Sequence, residues 1–183
     1  MDGTAEILVV RVGHRPGRDD RITTHVGLTA RALGADRFVL VGEHSGPLDR
    51  IDDVTERFGG PFTTEQRSSA TNVLKDWEGS IAHLTMYGLP IQEHISAIRP
   101  SIEPTGEGLA IVVGAEKVPF ALYERADWNI AVTNQPHSEI ASLAVFLDRV
   151  TAGTALDQEL VGGTHNVVPQ ACGKQVTETT RER

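Results

Sequence analysis

The sequence predicts an α/β protein with a mostly parallel sheet and helices on both of its faces. Short apolar, β-branched runs alternate along the chain with segments whose apolar residues recur at helical spacing. This alternation is typical of βαβ units. The chain has 183 residues, of which 39% are hydrophobic and 23% are charged. That composition favours a folded globular protein over a disordered one.

Five segments have the apolar composition of buried strands. The clearest is the run Ile-Leu-Val-Val that begins at residue 7, and the others follow it at intervals that leave room for a helix. We expect strands over residues 5–12, 37–42, 81–86, 109–113 and 128–132. In a sheet of this class, ligands bind beyond the carboxyl ends of the strands, so the loops after these strands are the candidate sites.

Five segments have the apolar spacing or the end signals of helices. The first ends at Gly34, a residue type common just after a helix, and the last begins after Ser138, a favourable N-cap. We expect helices near residues 20–34, 48–58, 69–78, 90–98 and 138–150. In the last of these, one face carries Ile140, Leu143, Leu147 and Val150.

We expect residues 1–150 to form one domain and residues 151–183 to form a C-terminal extension. The extension is polar and rich in glycine. Chain ends of this kind are poorly ordered unless other parts of the protein hold them. We therefore expect the last ten residues to be disordered.

Several classes of protein are disfavoured by the sequence. No run of about 18 apolar residues is present, so we expect no membrane span, and the first residues lack the pattern of a signal peptide. Cys172 is the single cysteine, which excludes an internal disulfide and suits the cytoplasm. The seven histidines are scattered without a His-x-x-x-His pair, so we expect no metal site.

The formal net charge of −8 is unevenly distributed. Residues 1–50 hold seven Arg and seven Asp or Glu, which leaves ten Lys or Arg against eighteen Asp or Glu after residue 50. The chain has only three Lys beside fourteen Arg. Excess acid with few Lys indicates either a surface adapted to high salt or the composition bias of a GC-rich genome, and the sequence favours neither.

An arginine-rich segment follows the first strand. Residues 11–25 contain four Arg and two His, and guanidinium groups suit bidentate phosphate binding. The alternative is a solvated loop in which Asp19 and Asp20 pair with some of the arginines.

Three later loops also follow strands, at residues 83–88, 112–119 and 129–139. Gly114 would let a ligand approach the backbone closely, and the bare N–H groups after Ser138 would suit a carboxylate or phosphate. Ordinary turns and a helix cap are the alternative interpretation. The chain contains neither a Gly-x-Gly-x-x-Gly dinucleotide motif nor a Gly-x-Ser-x-Gly nucleophile motif.

Two of these loops resemble those of the SPOUT methyltransferases. Residues 114–116, Gly-Ala-Glu, match the Gly-Asn-Glu-type loop of the ribose-methylating branch, and residues 130–138 match its second motif in spacing, with Asn134 in place of a glycine. Six segments in the same order, at residues 13–16, 23–26, 28–34, 83–88, 113–119 and 134–138, are similar to the archaeal tRNA (cytidine(56)-2′-O)-methyltransferases.

The resemblance implies a C-terminal trefoil knot that binds S-adenosylmethionine, and methyl transfer to the ribose 2′-hydroxyl of cytidine 56 in the T-loop of tRNA. It also implies a homodimer whose active site lies at the subunit interface. The residues that would bind the cofactor by this resemblance are Leu84, Gly114, Ala115, Glu116, Lys117, Val118, Ala131, Val132, Thr133, Asn134, Gln135, Pro136, His137 and Ser138.

The catalytic arginine of the wider branch has no direct counterpart here, because Leu28 occupies its position. Arg21 and His25 lie on the same helical face as Leu28, and Arg31 lies three residues after it, so these three are the candidate catalytic residues. We expect Arg21 to assist the loss of the 2′-hydroxyl proton, with His25 as the alternative base because its reference pKa is near 6.5. Arg15 and Arg18 are assigned to RNA phosphates.

Three alternatives to this function stay open. The same chemistry on another RNA position is the nearest, and a non-catalytic RNA-binding homodimer with the same fold is the second. A nucleotide-binding oxidoreductase on an open sheet is the third, and the missing dinucleotide motif disfavours it.

Overall fold

A computed structural model describes residues 5–43, 46–114 and 118–179. Its centre is a six-stranded sheet in the order β3-β2-β1-β5-β4-β6, in which every pair of neighbours is parallel. The strands are β1 (Ile7–Val12), β2 (Arg37–Val41), β3 (Thr63–Arg67), β4 (Ser80–Pro90), β5 (Leu109–Gly114) and β6 (Trp128–Ala131). The predicted fold class, a mostly parallel α/β sheet, is confirmed.

Helices cover both faces of the sheet because each strand of its centre is apolar on both sides. They are α1 (Asp20–Ala32), α2 (Pro47–Phe58), α3 (Ala70–Lys75), α4 (Ile91–Ile98), α5 (Phe120–Arg125) and α6 (Glu139–Val150). The larger core lies between the sheet and α1, α2, α4 and α6. The smaller core lies on the other face, where Leu74 of α3 and Leu122 of α5 pack.

The sequence analysis missed strand β3. Its residues, Thr-Thr-Glu-Gln-Arg, are polar and partly exposed, because β3 pairs only with β2 at the edge of the sheet. An edge strand with few buried side chains lacks the apolar run by which the other strands were found. Helix α5, which begins after Pro119, was also not among the expected helices.

Strand β4 contains an irregular segment, residues 85–88, that shapes the upper edge of the sheet. Leu84 and Leu89 both lie opposite Ile130 of β6, so the four residues between them leave the regular ladder. Gly88 lies against the β6 backbone, since a Cβ on Gly88 would be 2.5 Å from the carbonyl oxygen of Asn129. The segment therefore leaves the regular ladder while it stays close to β6.

The extension after α6 is partly structured. A short 3-10 helix (Thr154–Asp157) precedes an antiparallel hairpin of β7 (His165–Val167) and β8 (Val176–Glu178). The extension contacts the end of α2, where the N–H of Gly60 donates to the carbonyl of Val161 at 2.8 Å. The sequence predicted disorder for the ten terminal residues. Strand β8 lies among them, and its pairing with β7 orders it. The domain boundary at residue 151 stays a prediction.

Across the described parts of the chain, every helix is too short or too polar to span a lipid bilayer.

Candidate active site

A cavity of about 710 Å³ opens at the carboxyl ends of β4, β5 and β6. This is the edge at which a parallel α/β sheet binds its ligands, and the volume is within the range of small-molecule sites. The described residues that line it are His83, Leu84, Thr85, Met86, Tyr87, Val113, Gly114, Val118, Tyr123, Val132, Gln135, Pro136, His137, Glu139 and Ser142.

Asn134 joins the two polar segments beside the cavity. Its side-chain amide donates to the carbonyl of Met86 at 2.8 Å and to that of Gly88 at 3.0 Å. The loop after β6 is thereby tied to the irregular segment of β4. At the end of the loop, Ser138 accepts a hydrogen bond from the N–H of Ile140 and caps α6.

His83 is fully buried in the cavity wall and has a defined tautomer. Asn129 donates through Nδ2 to the carbonyl of Tyr123 at 2.9 Å, so its Oδ1 faces His83 Nδ1 at 2.9 Å. His83 Nδ1 must therefore carry the hydrogen, because an amide oxygen only accepts. Burial lowers the pKa of His83, and the hydrogen bond from Nδ1 to Asn129 opposes that shift. The neutral ring leaves Nε2 as a buried acceptor without a hydrogen-bond partner.

Arg11 and Glu139 form an ion pair beneath the cavity. Arg11 lies near the end of β1 and is completely buried, and its Nη2 donates to Glu139 Oε1 at 2.7 Å. Its Nε and Nη1 atoms have no hydrogen-bond partner. Glu139 is the first residue of α6, so the pair connects the sheet to the helix that borders the cavity.

Arg15 of the arginine-rich segment is held by an acidic residue of the same segment. Arg15 forms two side-chain hydrogen bonds with the carboxylate of Asp19, at 2.9 and 3.0 Å. These hydrogen bonds lower the pKa of Asp19 from 3.8 to about 2. His14 Nδ1 lies 2.8 Å from Thr23 Oγ1. Arg15, which was assigned to an RNA phosphate, is thus paired with Asp19 in the structure, while Arg18 is exposed. Both RNA assignments stay predictions.

The three candidate catalytic residues on α1 have different environments. Arg21 and His25 are exposed and lie one turn apart on α1. Neither is among the residues that line the cavity of the same chain. Arg31 is buried, and its Nη2 donates to the carbonyl of Gly59. The structure therefore brings none of the three to the cavity within one protomer.

The cavity contains about half of the predicted cofactor residues. Those that line it are Leu84, Gly114, Val118, Val132, Gln135, Pro136 and His137. Four others lie in the same loop or strand without lining the cavity, namely Ala131, Thr133, Asn134 and Ser138. Ala115, Glu116 and Lys117 lie outside the described residues.

The sequence analysis did not identify four lining residues whose role depends on tertiary contacts. His83 and Glu139 stood in segments that it singled out, but it gave neither of them a function. No sequence pattern marks Tyr123 as a site residue, because it reaches the cavity only through the placement of α5. Ser142 could have been found from its spacing, since it lies three residues after Glu139 on the same helical face.

Within residues 5–43, 46–114 and 118–179, no group of three or more His, Cys, Asp and Glu side chains is arranged to hold a metal ion.

Two solved structures share this fold at low sequence identity. The A. aeolicus TrmH/SpoU tRNA modifying enzyme aligns with a TM-score of 0.60 and 12% identity over 86% of this chain and 82% of its own. The SpoU methyltransferase AviRb from Streptomyces viridochromogenes, in complex with the cofactor AdoMet, aligns with a TM-score of 0.54 and 14% identity over 83% of this chain and 59% of its own. These likenesses show the fold.

Sequence comparison is more specific. The tRNA (cytidine(56)-2′-O)-methyltransferase of Haloarcula marismortui is 53% identical over 182 residues, an alignment that covers 100% of this chain and 100% of its own. Residues 58–177 match the sequence model of the family described as tRNA ribose 2′-O-methyltransferase, aTrm56. The chain belongs to the aTrm56 family of tRNA ribose 2′-O-methyltransferases.

Proposed function

We propose that the protein transfers a methyl group from S-adenosylmethionine to the ribose 2′-hydroxyl of cytidine 56 in tRNA. The observation that carries this proposal is the 53% identity, over 182 residues, with a relative named for that reaction. The cavity lies where this class of sheet binds ligands.

The residues around the cavity fit S-adenosylmethionine. Apolar side chains of Leu84, Val113, Val118 and Val132 line it and offer surfaces for an adenine ring. The unpartnered acceptor on His83 and the carboxylate of Glu139 offer sites for hydrogen-bond donors. When it is bound, the cofactor supplies a methyl group on a positively charged sulfur, from which the methyl leaves readily.

In the transfer, the ribose 2′-oxygen forms a bond to the methyl carbon while the bond from that carbon to sulfur breaks. The 2′-hydroxyl proton must leave, and S-adenosylhomocysteine is the second product. The loop after β6, tied by Asn134 to the segment 85–88, would fix the cofactor relative to the incoming ribose. Correct placement of the reacting atoms supplies a large part of the rate enhancement in such reactions.

A homodimer would complete the site. Arg21 and His25 are exposed on α1 and do not line the cavity of their own chain. Apolar Ile22 on α1 and Val145 on α6 are also exposed, and these helices pack against each other. In a dimer built on this face, Arg21 of one protomer would lie at the cavity of the other. The trefoil knot and a cytoplasmic location belong to the same proposal.

The deciding experiment maps labelled methyl groups on unmodified tRNA after incubation with the protein and labelled S-adenosylmethionine. We expect label on the ribose of cytidine 56. Label at another nucleotide would overturn the substrate assignment, and calorimetry that detects no binding of S-adenosylmethionine would overturn the enzyme assignment.

The role of Arg21 is tested by Arg21→Ala, with Arg50→Ala on the exposed face of α2 as the control. We expect Arg21→Ala to bind tRNA but to lose most of its turnover, whereas Arg50→Ala keeps it. Full turnover by Arg21→Ala would shift the role to His25, for which His25→Gln is the corresponding test.

A further inference from the structure

The cavity borders a buried ion pair that the proposed reaction does not explain. Arg11 has no exposed surface, and two of its three guanidinium nitrogens have no hydrogen-bond partner. Burial lowers the pKa of Arg11, and the charge of Glu139 opposes this shift. A buried cation of this kind is tolerated only beside a counter-charge. Glu139, 2.7 Å away, supplies that charge.

The Glu139 carboxylate is the counter-charge of Arg11. Without this carboxylate, the Arg11 guanidinium would be buried without compensation, which costs far more than the loss of an exposed ion pair. The position of Glu139 in the first turn of α6 also favours an anion, because the amino end of a helix carries partial positive charge. The carboxylate is therefore held in place by Arg11 at the start of α6.

Glu139 is also part of the cavity wall. It lines the cavity together with Ser142, one turn further along α6. It is the only acidic side chain among the described lining residues. Arg11 occupies Oε1, while Oε2 has no hydrogen-bond partner in the described part of the chain. One carboxylate oxygen of a residue that lines the cavity is thus not engaged by Arg11.

We propose that Glu139, positioned by Arg11, binds a cationic centre of the ligand held in the cavity. This inference rests on the proposed use of S-adenosylmethionine, which carries two such centres, the sulfonium and the α-ammonium group. Arg11 acts as a positioning residue, since it touches Glu139 and not the cavity.

The test compares three ligands by isothermal titration calorimetry. S-adenosylmethionine has both cationic centres, S-adenosylhomocysteine has only the ammonium group, and 5′-methylthioadenosine has neither. The quantity of interest is the ratio of dissociation constants between ligands on the same protein, because general damage to the site affects all three. Binding of S-adenosylmethionine to the wild-type protein tests the proposed function separately, and its absence would overturn function and inference together.

In Glu139→Gln we expect S-adenosylmethionine to lose about tenfold or more in affinity relative to 5′-methylthioadenosine, the loss typical of a charged hydrogen bond. An equal loss for S-adenosylhomocysteine would identify the ammonium group as the bound cation. An unchanged affinity for S-adenosylhomocysteine would identify the sulfonium. The same factor for all three ligands, or no change for any, would overturn the inference.

Glu139→Gln leaves Arg11 without a counter-charge and could unfold the protein. The double variant Arg11→Met with Glu139→Gln removes both charges, and buried pairs replaced in this way often keep the fold. It should show the same loss of ligand discrimination. Arg11→Met alone should lose part of the ligand discrimination, and Arg11→Lys should keep it. If Arg11→Met keeps the wild-type ratios between ligands, Arg11 does not position Glu139.

The control is Glu6→Gln. Glu6 pairs with Arg37 at 2.8 Å, at the opposite, amino ends of the strands. Like Glu139→Gln, the Glu6→Gln substitution removes one carboxylate from an ion pair. Because Glu6 lies far from the cavity, Glu6→Gln should leave the ratios between ligands unchanged. A comparable shift in Glu6→Gln would show that the effect of Glu139→Gln is not local to the cavity, and would overturn the inference.

Discussion

At the residue scale, three buried polar side chains stand out because their hydrogen bonding is incomplete. Arg11, Arg31 and His83 are each at least nine-tenths buried, and each has one or more nitrogen atoms without a hydrogen-bond partner. Most buried polar groups in proteins are fully paired. Two of the three, Arg11 and His83, lie in or next to the cavity wall, whereas Arg31 contacts the loop after α2.

Arg31→Met should destabilise the protein without weakening cofactor binding. The substitution leaves the carbonyl of Gly59 without its charged donor, and we expect a loss of about 1–3 kcal/mol in the free energy of unfolding. Urea unfolding measures this loss, with Arg21→Ala on the exposed face of α1 as the control. Normal stability combined with lost turnover in Arg31→Met would instead support the catalytic role that the sequence predicted.

The Arg15–Asp19 pair predicts a pH dependence of stability. The pKa of Asp19 is about 2 in the folded protein, whereas the ordinary value of an Asp carboxyl is 3.8. A carboxylate with a lowered pKa stabilises the fold above its unfolded pKa, and this stabilisation disappears as the pH falls through the folded value. The stability difference between wild type and Asp19→Asn should therefore be constant above about pH 4 and shrink towards pH 2.

Chemical unfolding of both proteins across this pH range measures the difference. Asp53→Asn is the matched control, because Asp53 pairs with Arg57 at the same spacing on an exposed helix face. Exposed pairs contribute little, so Asp53→Asn should differ little from wild type at every pH. A wild-type advantage over Asp19→Asn that persists at pH 2 would contradict the lowered pKa.

At the scale of elements, the cavity depends on the irregular segment of β4 and the loop after β6. Both follow or interrupt strands of the sheet, and Asn134 holds them together. Gly88 allows the segment 85–88 to lie directly against the β6 backbone. The shape of the cavity is therefore set by backbone contacts as much as by side chains.

Gly88→Ala should lower both stability and cofactor affinity. The added Cβ would lie 2.5 Å from the carbonyl oxygen of Asn129, and the strand backbone cannot move aside easily. Overpacking of this kind costs about 1–3 kcal/mol. Thermal unfolding and calorimetry measure the two effects, with Gly46→Ala as the control because a Cβ there meets nothing within 4 Å. Wild-type affinity in Gly88→Ala would show that the segment does not shape the site.

At the scale of the whole molecule, the acidic net charge limits how RNA can bind. The net charge is −8, and Arg15 is already paired with Asp19. The protein therefore has little positive charge with which to displace counterions from the RNA backbone. Recognition would rest on shape and on hydrogen bonds from a few side chains.

Binding of tRNA should therefore depend weakly on salt. In a plot of log affinity against log salt concentration we expect a slope shallower than about −3, which corresponds to only a few phosphate contacts. Fluorescence titrations from low to high salt measure the slope. Arg18→Ala should reduce it further, while Arg57→Ala on α2 should not. A steep slope in the wild-type protein would contradict this view of the surface.

Local sequence was sufficient for most of the fold. The apolar strands and the amphipathic helices could be predicted because burial imposes a period on the residues themselves. Edge strand β3 could not, since its residues are polar and it is held by pairing with β2. Hairpin β7–β8 could not, since its three-residue strands are mostly exposed and have no apolar pattern. For the site, the loops after β4, β5 and β6 could be located because strand ends in a parallel sheet share one edge.

The sequence by itself determined the fold class, the family motifs and the position of the cavity along the chain. Only the tertiary structure decided which polar groups work together there. Arg11 and Glu139 are 128 residues apart in sequence, and His83 and Asn129 are 46 apart. These partners meet because neighbouring strands and the helix above them are packed at fixed distances. A buried charge or a fixed tautomer is a property of that packing, and no local pattern in the sequence encodes it.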